Sequence, residues 1–251
     1  MKIIYALGYI KSGTTWLARL LGDVLNSPVG GVVPAEDTAC IATEGQDRPG
    51  DYYIRQGHAV PGAGDVLIPD RHTIALEHLT DERIIVMIRD PRDVAVSASY
   101  HWNMDLEKTL HCMAKGRWPL THGGGWCEWV RGWRGAFKFS IYDFWTTYER
   151  LQQNPCDVLK TVMLFLNTHE RCNLSDVIAR QSITARRAYT EQHGDTLNYG
   201  KEFQLQFLRK GVVGDWRNHF TPEYRRLAER YFGEMMRELG YTEGEEWVNE
   251  R

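Results

Sequence analysis

Residues 11–16, which read KSGTTW, constrain this chain more than any other part of its sequence. They directly follow the apolar run at residues 3–7, and the residues after them have apolar side chains at helical spacing. This order predicts a strand over residues 2–9, a tight turn at a glycine, and a helix from Thr14 to about Leu25. Such a turn points unpaired backbone N–H groups and the positive end of a helix at one spot, beside a lysine and three hydroxyls. The sequence therefore predicts a phosphate-binding loop.

The loop differs from the P-loop of nucleotide kinases in the place of its lysine. Gly8 and Gly13 have the spacing of the two P-loop glycines, but Thr14 stands where the kinase lysine belongs. The lysine of this loop comes earlier, at Lys11. We therefore expect a nucleotide ligand without the magnesium site of a kinase, and we keep a kinase-like phosphotransferase as an alternative.

Strands that alternate with helices predict the α/β class, as one domain over residues 1–251 with a central parallel sheet flanked by helices. Further strands are predicted at residues 51–58, 83–89 and 138–142, and a surface loop at residues 27–50. Helices are predicted to open at Asp90-Pro91 and to cover residues 157–166 and 221–239.

Residues 101–135 form a segment rich in tryptophan, histidine and glycine without a clear periodicity. We expect either a lid or acceptor-pocket segment or tryptophans that belong to the core, and the pattern leaves both open. The aromatic and histidine side chains of this segment are His101, Trp102, His111, Trp118, His122, Trp126, Trp129 and Trp133.

Composition excludes several classes of partner. The 251 residues carry a net charge of −3, which argues against a nucleic-acid ligand. No apolar run approaches the roughly 20 residues needed to span a membrane. The five cysteines form no C-x-x-C pair, so we expect reduced thiols and a cytoplasmic protein. His111, Cys112, His122 and Cys127 do not have the spacing of a zinc site, and we predict no metal.

Three separated segments resemble the PAPS-dependent sulfotransferases, which move a sulfuryl group from 3′-phosphoadenosine-5′-phosphosulfate (PAPS) to a hydroxyl or amine. Residues 11–16 resemble the family's 5′-phosphosulfate loop, with Ile10 in place of its usual proline. Residues 89–97, RDPRDVAVS, are similar to its 3′-phosphate motif. Residues 209–221, RKGVVGDWRNHFT, are close to its R-K-G-x-x-G-D-W-K-N-x-F-T motif. The resemblance extends from residue 2 to about residue 240.

The resemblance implies a role for each matching residue, and no metal. Lys11 would stabilise the leaving oxygen, and Trp16 would stack on adenine. The turn at Tyr148-Glu149 would lie near the adenosine, and Ser182 would lie beside Ile183, which replaces the family's second adenine-stacking ring. The nucleotide-binding residues implied are Lys11, Ser12, Gly13, Thr14, Thr15, Trp16, Arg89, Ser97, Tyr148, Ser182, Arg209, Lys210 and Gly211.

The family's catalytic base is a histidine at the end of a strand, in a K-x-H pattern. His58 is the best match, although Gln56 replaces the lysine. His72 is the rival, and a carboxylate or another histidine is a further alternative. The resemblance implies a small-molecule acceptor, with product PAP, and leaves a homodimer open. A nucleotide-binding protein without catalytic activity is a further alternative.

Overall fold

The strands of this chain follow its apolar runs. The computed structural model describes residues 2–30, 43–58, 65–67, 73–75, 82–117, 124–136, 143–195, 197 and 208–249. The strands are β1 (Lys2–Gly8), β2 (Val29–Gly30), β3 (Thr43–Glu44), β4 (Tyr52–Gly57), β5 (Asp65–Leu67), β6 (Thr73–Ala75), β7 (Arg83–Ile88) and β8 (Asp143–Thr147).

Six of these strands form one mostly parallel sheet in the order β3-β2-β4-β1-β7-β8. Strand β1 lies in the middle and pairs in parallel with β4 and β7, and β8 continues the parallel order at one edge. Only β3, at the other edge, pairs antiparallel within this sheet. Strands β5 and β6 form a separate antiparallel pair. The carboxyl ends of β1, β4 and β7 therefore lie side by side, where open α/β sheets bind their ligands.

The helices connect and flank these strands. In chain order they are α1 (Thr14–Val24), α2 (Pro91–His101), α3 (Leu106–Lys115), α4 (Trp126–Ala136), α5 (Tyr148–Gln153), α6 (Pro155–Phe165), α7 (Leu174–Arg180), α8 (Ile183–His193) and α9 (Pro222–Glu238). Two short 3-10 helices, Asp215–Asn218 and Glu246–Val248, lie near the C-terminal end.

The sheet is covered on both faces, which explains why its strands read as continuous apolar runs. Along β7, Ile84 and Val86 belong to one core, while Ile85 and Met87 belong to the core on the opposite face. We call the core around Ile84 and Val86 the first core and the core around Ile85 and Met87 the second core. Helices α2, α4 and α9 contribute apolar side chains to the first core, and α1 contributes leucines to the second. Each fully buried aliphatic side chain contributes about 1.5–3 kcal/mol, so the two cores fix the position of β1 and its following loop.

The structure confirms the α/β class and most predicted elements, and it corrects two. The segment 27–50, predicted as loop, contains the short strands β2 and β3. Tyr148, predicted in a turn, begins helix α5, because the Thr147 hydroxyl caps the helix by accepting from Arg150 N at 3.1 Å. The predicted strand at 138–142 lies outside the described residues, and the strand of this region is β8.

Residues 101–135 are more regular than their sequence suggested. Helices α3 and α4 occupy much of this segment, and Trp126, Trp129 and Trp133 are fully buried in the first core. Their spacing of three and four residues places them on one face of α4. For these three tryptophans, the core interpretation was therefore right. Trp118 and His122 lie outside the described residues.

Candidate active site

The loop between β1 and α1 has the backbone geometry of an anion-binding turn. Lys11 and Gly13 both have positive φ, at 66° and 88°, and Ser12 N donates to the carbonyl oxygen of Tyr9 at 3.0 Å. A left-handed lysine is strained by about 1–2 kcal/mol, which is typical of functional loops. Ser12 is fully buried, and its Oγ has no hydrogen-bond partner within the described part of the chain. This hydroxyl is thus available for a ligand oxygen.

Gly8 and Gly13 must be glycines, because neighbouring atoms leave no room for a Cβ at either position. A Cβ on Gly8 would lie 2.6 Å from Thr14 Cγ2 and 2.8 Å from the carbonyl oxygen of Met87. A Cβ on Gly13 would lie 2.7 Å from the Tyr148 ring, in addition to the strain of its positive φ. The glycines therefore let the loop pack between α1, β7 and Tyr148.

Lys11 is buried among other cations. Burial, together with the charges of Arg89 and Arg209, lowers its pKa from 10.5 to about 7. The mutual repulsion shows that residues from the beginning, middle and end of the chain converge at this point. A site in which three cations are held together is suited to a polyanionic ligand.

Arg89 joins the three motifs. It follows β7, and its Nη1 donates to the carbonyl oxygen of Lys11 at 3.1 Å. Its Nη2 donates to the carbonyl oxygen of Val212 at 3.4 Å, and its guanidinium lies 4.2 Å from the centre of the Tyr148 ring. Its Nε is buried without a hydrogen-bond partner among the residues described. The predicted 3′-phosphate arginine thus contacts both other motifs and keeps one donor for a ligand.

Asp215 holds the cations of the third motif in place. It accepts from Arg209 Nη2 at 2.7 Å and from Lys210 Nζ at 3.1 Å. Burial raises the pKa of Asp215, but the hydrogen bonds from Arg209, Asn218 and Lys210 outweigh it and hold this pKa well below its usual range. Asp215 therefore stays charged and orients both cations. The sequence placed it within a motif without assigning it this role.

Asp93 ties the second motif to the third, which the sequence also did not reveal. Its two carboxylate oxygens accept from Gly214 N at 2.7 Å and from Trp216 N at 2.9 Å. Tyr148 adds a second link, because its hydroxyl donates to the carbonyl oxygen of Gly211 at 2.9 Å. A buried carboxylate that accepts two backbone N–H groups fixes the C-terminal loop against α2.

The remaining predicted nucleotide residues lie on α1 and α2 and at the start of α8. Trp16, half-buried in the first turn of α1, lies edge-on to Tyr148 with ring centroids 5.7 Å apart. Ser182 caps α8 by accepting from Ala185 N at 3.3 Å, and the next residue, Ile183, lies 3.0 Å from the position of a Cβ on Gly211. Ser97 is half-buried in α2. Thr14 and Thr15 are buried in the first turn of α1.

His58 lies at the end of β4, beside the phosphate-binding loop. Its Nδ1 donates to the carbonyl oxygen of Gly8 at 2.8 Å, because a carbonyl can only accept. In the neutral imidazole this proton on Nδ1 places the lone pair on Nε2. The rival, His72, lies outside the described residues.

A second histidine near Lys11 was not predicted as a site residue. His101 ends α2, is 9% exposed, and packs its ring edge-on against Trp102 with centroids 4.5 Å apart. Burial, followed by the charge of Lys11, lowers the pKa of His101 to about 3, so this ring is neutral at physiological pH. Its spacing of four residues from Ser97, on one helix face, was the signal that could have found it.

Comparison with known proteins decides the family. The profile of the family described as "Sulfotransferase domain" matches residues 74–240. The chain belongs to the sulfotransferase family. The matched region contains the second and third motifs, and it confirms the predicted class of enzyme, a PAPS-dependent sulfotransferase.

Individual relatives agree with this family. Sulfotransferase 2B1 of Rattus norvegicus is 27% identical over 263 residues, which cover 94% of this chain and 71% of that protein. Sulfotransferase 2A1 of Macaca fascicularis is 26% identical over 250 residues, covering 94% and 85%.

Solved sulfotransferase structures share the fold. Mouse sulfotransferase SULT7A1, complexed with PAP, aligns with a TM-score of 0.67 at 22% identity, over 94% of this chain and 85% of that one. Retinol dehydratase in complex with androsterone and PAP aligns with a TM-score of 0.65 at 14% identity, over 93% and 80%. These likenesses confirm the architecture of the sheet and helices.

Proposed function

We propose that this sulfotransferase transfers the sulfuryl group of PAPS to a hydroxyl of a small-molecule acceptor, with His58 as the general base and Lys11 at the leaving oxygen. The observation that carries the proposal is the hydrogen bond of 2.8 Å from His58 Nδ1 to the carbonyl oxygen of Gly8. It attaches the base to the loop that bears Lys11 and sets the tautomer in which Nε2 can accept a proton.

The donor has an anion at each end, and the site offers cations for both. The phosphate-binding loop, with Ser12 Oγ and the first-turn hydroxyls of α1, would hold the 5′-phosphosulfate. Arg89 and Arg209, with Lys210 and Ser97, would hold the 3′-phosphate. A guanidinium group can donate two parallel hydrogen bonds to the oxygens of one phosphate. Trp16 would stack on the adenine.

The reaction we propose is an in-line displacement at sulfur. The acceptor oxygen forms a bond to sulfur while its proton passes to His58 Nε2, and the bond from sulfur to the bridging oxygen of the phosphosulfate breaks. The electron pair stays on that oxygen, which becomes part of PAP, and Lys11 stabilises or protonates it. Such transfers depend on positioning and charge stabilisation, and protein cations can supply both without a metal.

The acceptor would meet the sulfur near the end of α2. His101 lies within the electrostatic range of Lys11, and Trp102 packs beside it. A neutral imidazole and an indole together offer a half-polar surface for an alcohol with an apolar body. The androsterone bound to retinol dehydratase is an alcohol of that kind. We therefore choose androsterone, retinol and 2-naphthol as the first acceptor probes.

The decisive experiment measures transfer of labelled sulfate from PAPS to these probes in the presence of EDTA. We expect transfer to at least one probe, and we expect His58→Ala to lower kcat by about 100-fold or more with unchanged binding of 3′,5′-ADP by calorimetry. His72→Ala is the matched control and should retain transfer. Loss of transfer in His72→Ala alone would overturn the assignment of the base.

The two alternative functions predict different results. Binding of 3′,5′-ADP without transfer to any acceptor would favour a nucleotide-binding protein without catalytic activity. Magnesium-dependent turnover of ATP would favour a kinase-like phosphotransferase.

We propose a cytoplasmic location, with the chain working as one domain. Cys112, Cys127, Cys156 and Cys172 form no disulfide within the described part of the chain, as in proteins of reducing compartments. None of its described helices combines the length with the apolar composition needed to cross a bilayer.

A further inference from the structure

A buried cluster of four charged side chains lies between α1 and α8. Arg19, on α1, donates its Nε to Glu44 at 3.0 Å and pairs through Nη2 with Asp195. Arg186, on α8, lies with Nη1 at 3.6 Å from the other carboxylate oxygen of Glu44. The cluster contains two cations and two anions, so its charges balance without a further ion.

One edge of Arg186 has no hydrogen-bond partner in the described part of the chain. Its side chain is 8% exposed, yet Nε and Nη2 make no hydrogen bond with any residue that the structure describes. These two nitrogens form the side edge of the guanidinium, where two N–H groups point in the same direction. Burial and the neighbouring Arg19 lower the pKa of Arg186, as expected of a buried cation with too few hydrogen-bond acceptors around it. A buried donor pair in this state indicates a missing acceptor.

Two other buried polar groups on these helices also lack hydrogen-bond partners among the described residues. Thr190 lies one helical turn beyond Arg186, is 1% exposed, and its Oγ1 has no partner among the described residues. The Nε1 atom of Trp16 is likewise buried without one. Three polar groups on α1 and α8 therefore lack partners among the described residues, which points to a polar ligand near these helices.

The position of Arg186 relates it to the proposed adenine site. Ile183 lies one helical turn before it on α8 and reaches Gly211 of the C-terminal motif. Trp16 lies one turn before Arg19 on α1, and Arg19 shares Glu44 with Arg186. The first turn of each helix thus borders the nucleotide site, and the arginines follow one turn behind.

We propose that Arg186 recognises the adenine of the donor nucleotide by donating from its side edge to a ring nitrogen of the base. This inference rests on the proposed function. A neutral acceptor fits better than an anion, because the four charges of the cluster are already balanced. A planar guanidinium beside the base also compensates for Ile183, which offers no aromatic ring at this wall of the site.

The test compares binding of 3′,5′-ADP with that of its 1-deaza, 3-deaza and 7-deaza analogues, by calorimetry. Each analogue replaces one ring nitrogen by C–H and so removes one acceptor. In the unaltered protein, we expect one analogue to bind about 10- to 100-fold more weakly than 3′,5′-ADP, the usual range for a hydrogen bond from a charged donor. Arg186→Met should bind 3′,5′-ADP more weakly by a similar factor and should no longer discriminate against that analogue.

Two controls separate recognition from a structural role. Arg187→Met removes the neighbouring exposed cation and should leave all four affinities unchanged. Urea unfolding without nucleotide measures the structural effect separately, because Arg186→Met removes the unsatisfied donor pair and also one of the two cations that balance Glu44 and Asp195. Arg186→Gln provides a second variant of intermediate polarity, which should bind 3′,5′-ADP as weakly as Arg186→Met.

The binding and unfolding results distinguish adenine recognition by Arg186 from a structural role, and both from failure of the proposed function. Equal affinity of the unaltered protein and Arg186→Met for 3′,5′-ADP would overturn this inference alone, and so would equal discrimination among the analogues. A marked loss of stability in Arg186→Met with unchanged discrimination would show a structural role instead. Absence of 3′,5′-ADP binding by the unaltered protein would overturn the proposed function as well.

Discussion

Replacing Lys11 by methionine should stabilise the free protein at and below neutral pH while it abolishes sulfuryl transfer. Lys11 is 9% exposed, and burial, reinforced by Arg89 and Arg209, lowers its pKa from 10.5 to about 7. The two values differ by about 3.5 pH units, and each unit corresponds to about 1.4 kcal/mol. A charged Lys11 therefore costs the fold on the order of 5 kcal/mol, which methionine avoids.

The sign of the pH dependence follows from which state binds the proton. Below about pH 7 the lysine is charged in the folded and unfolded states, so the cost is complete and constant. Between about pH 7 and 10.5 the unfolded state still binds a proton that the folded state has released. Stability therefore rises with pH in this window, by about 1.4 kcal/mol per pH unit. The advantage of Lys11→Met should shrink by about 2 kcal/mol between pH 7 and pH 9.

Urea unfolding of both proteins at pH 6, 7, 8 and 9 measures this difference directly. Lys210→Met is the matched control, because Lys210 is 49% exposed and its pair with Asp215 is accessible to water. It should be no more stable than the unaltered protein, and the difference should not vary with pH. Curves for the unaltered protein and Lys11→Met that stay parallel from pH 6 to pH 9 would refute the reasoning. Saturating 3′,5′-ADP should reverse the order, since its phosphates favour the charged lysine.

Two further substitutions test how the site is held together. Gly13→Ala should lower the free energy of unfolding by about 1–2 kcal/mol more than Gly240→Ala. Both glycines have positive φ, but only a Cβ on Gly13 would meet the Tyr148 ring, whereas the space at Gly240 is open. Equal losses in urea unfolding would contradict this steric account. Asp215→Asn should weaken 3′,5′-ADP binding by about tenfold or more in calorimetry, because it releases two cations from their fixed positions; unchanged affinity would show that the cations need no such support.

The sequence predicted those parts of the molecule in which local pattern and chemistry coincide. The phosphate-binding loop was predictable, because an apolar strand, glycine and helix start follow one another directly. Strand β7 and the proline-initiated helix α2 were predictable for the same reason. The helix α4 was not predicted, although Trp126, Trp129 and Trp133 lie at helical spacing, because the glycines and histidines around them obscured the period. Family membership then confirmed the enzyme class that the motifs had implied.

The supporting contacts of the site could not be predicted, because they join residues that are distant in sequence. Asp93 accepts from Gly214 and Trp216 across the fold, and nothing near Asp93 in the sequence indicates these partners. The same holds for Arg186, whose proposed role depends on the lack of a hydrogen-bond partner for its side edge among the described residues. Local patterns specify which groups are present, whereas only tertiary structure specifies which of them lack a partner.

The charges of this site favour a ligand-bound state over the free one. Asp215 neutralises part of the charge of Arg209 and Lys210. Both carboxylate oxygens of Asp93 accept hydrogen bonds from backbone N–H groups. Lys11 therefore remains under the repulsion of Arg89 and Arg209, which is visible in its lowered pKa. The bis-anionic nucleotide that we propose as ligand would relieve this repulsion at both of its ends. Because the cations are held in place before binding, the relief would contribute to affinity and to charge stabilisation of the leaving oxygen.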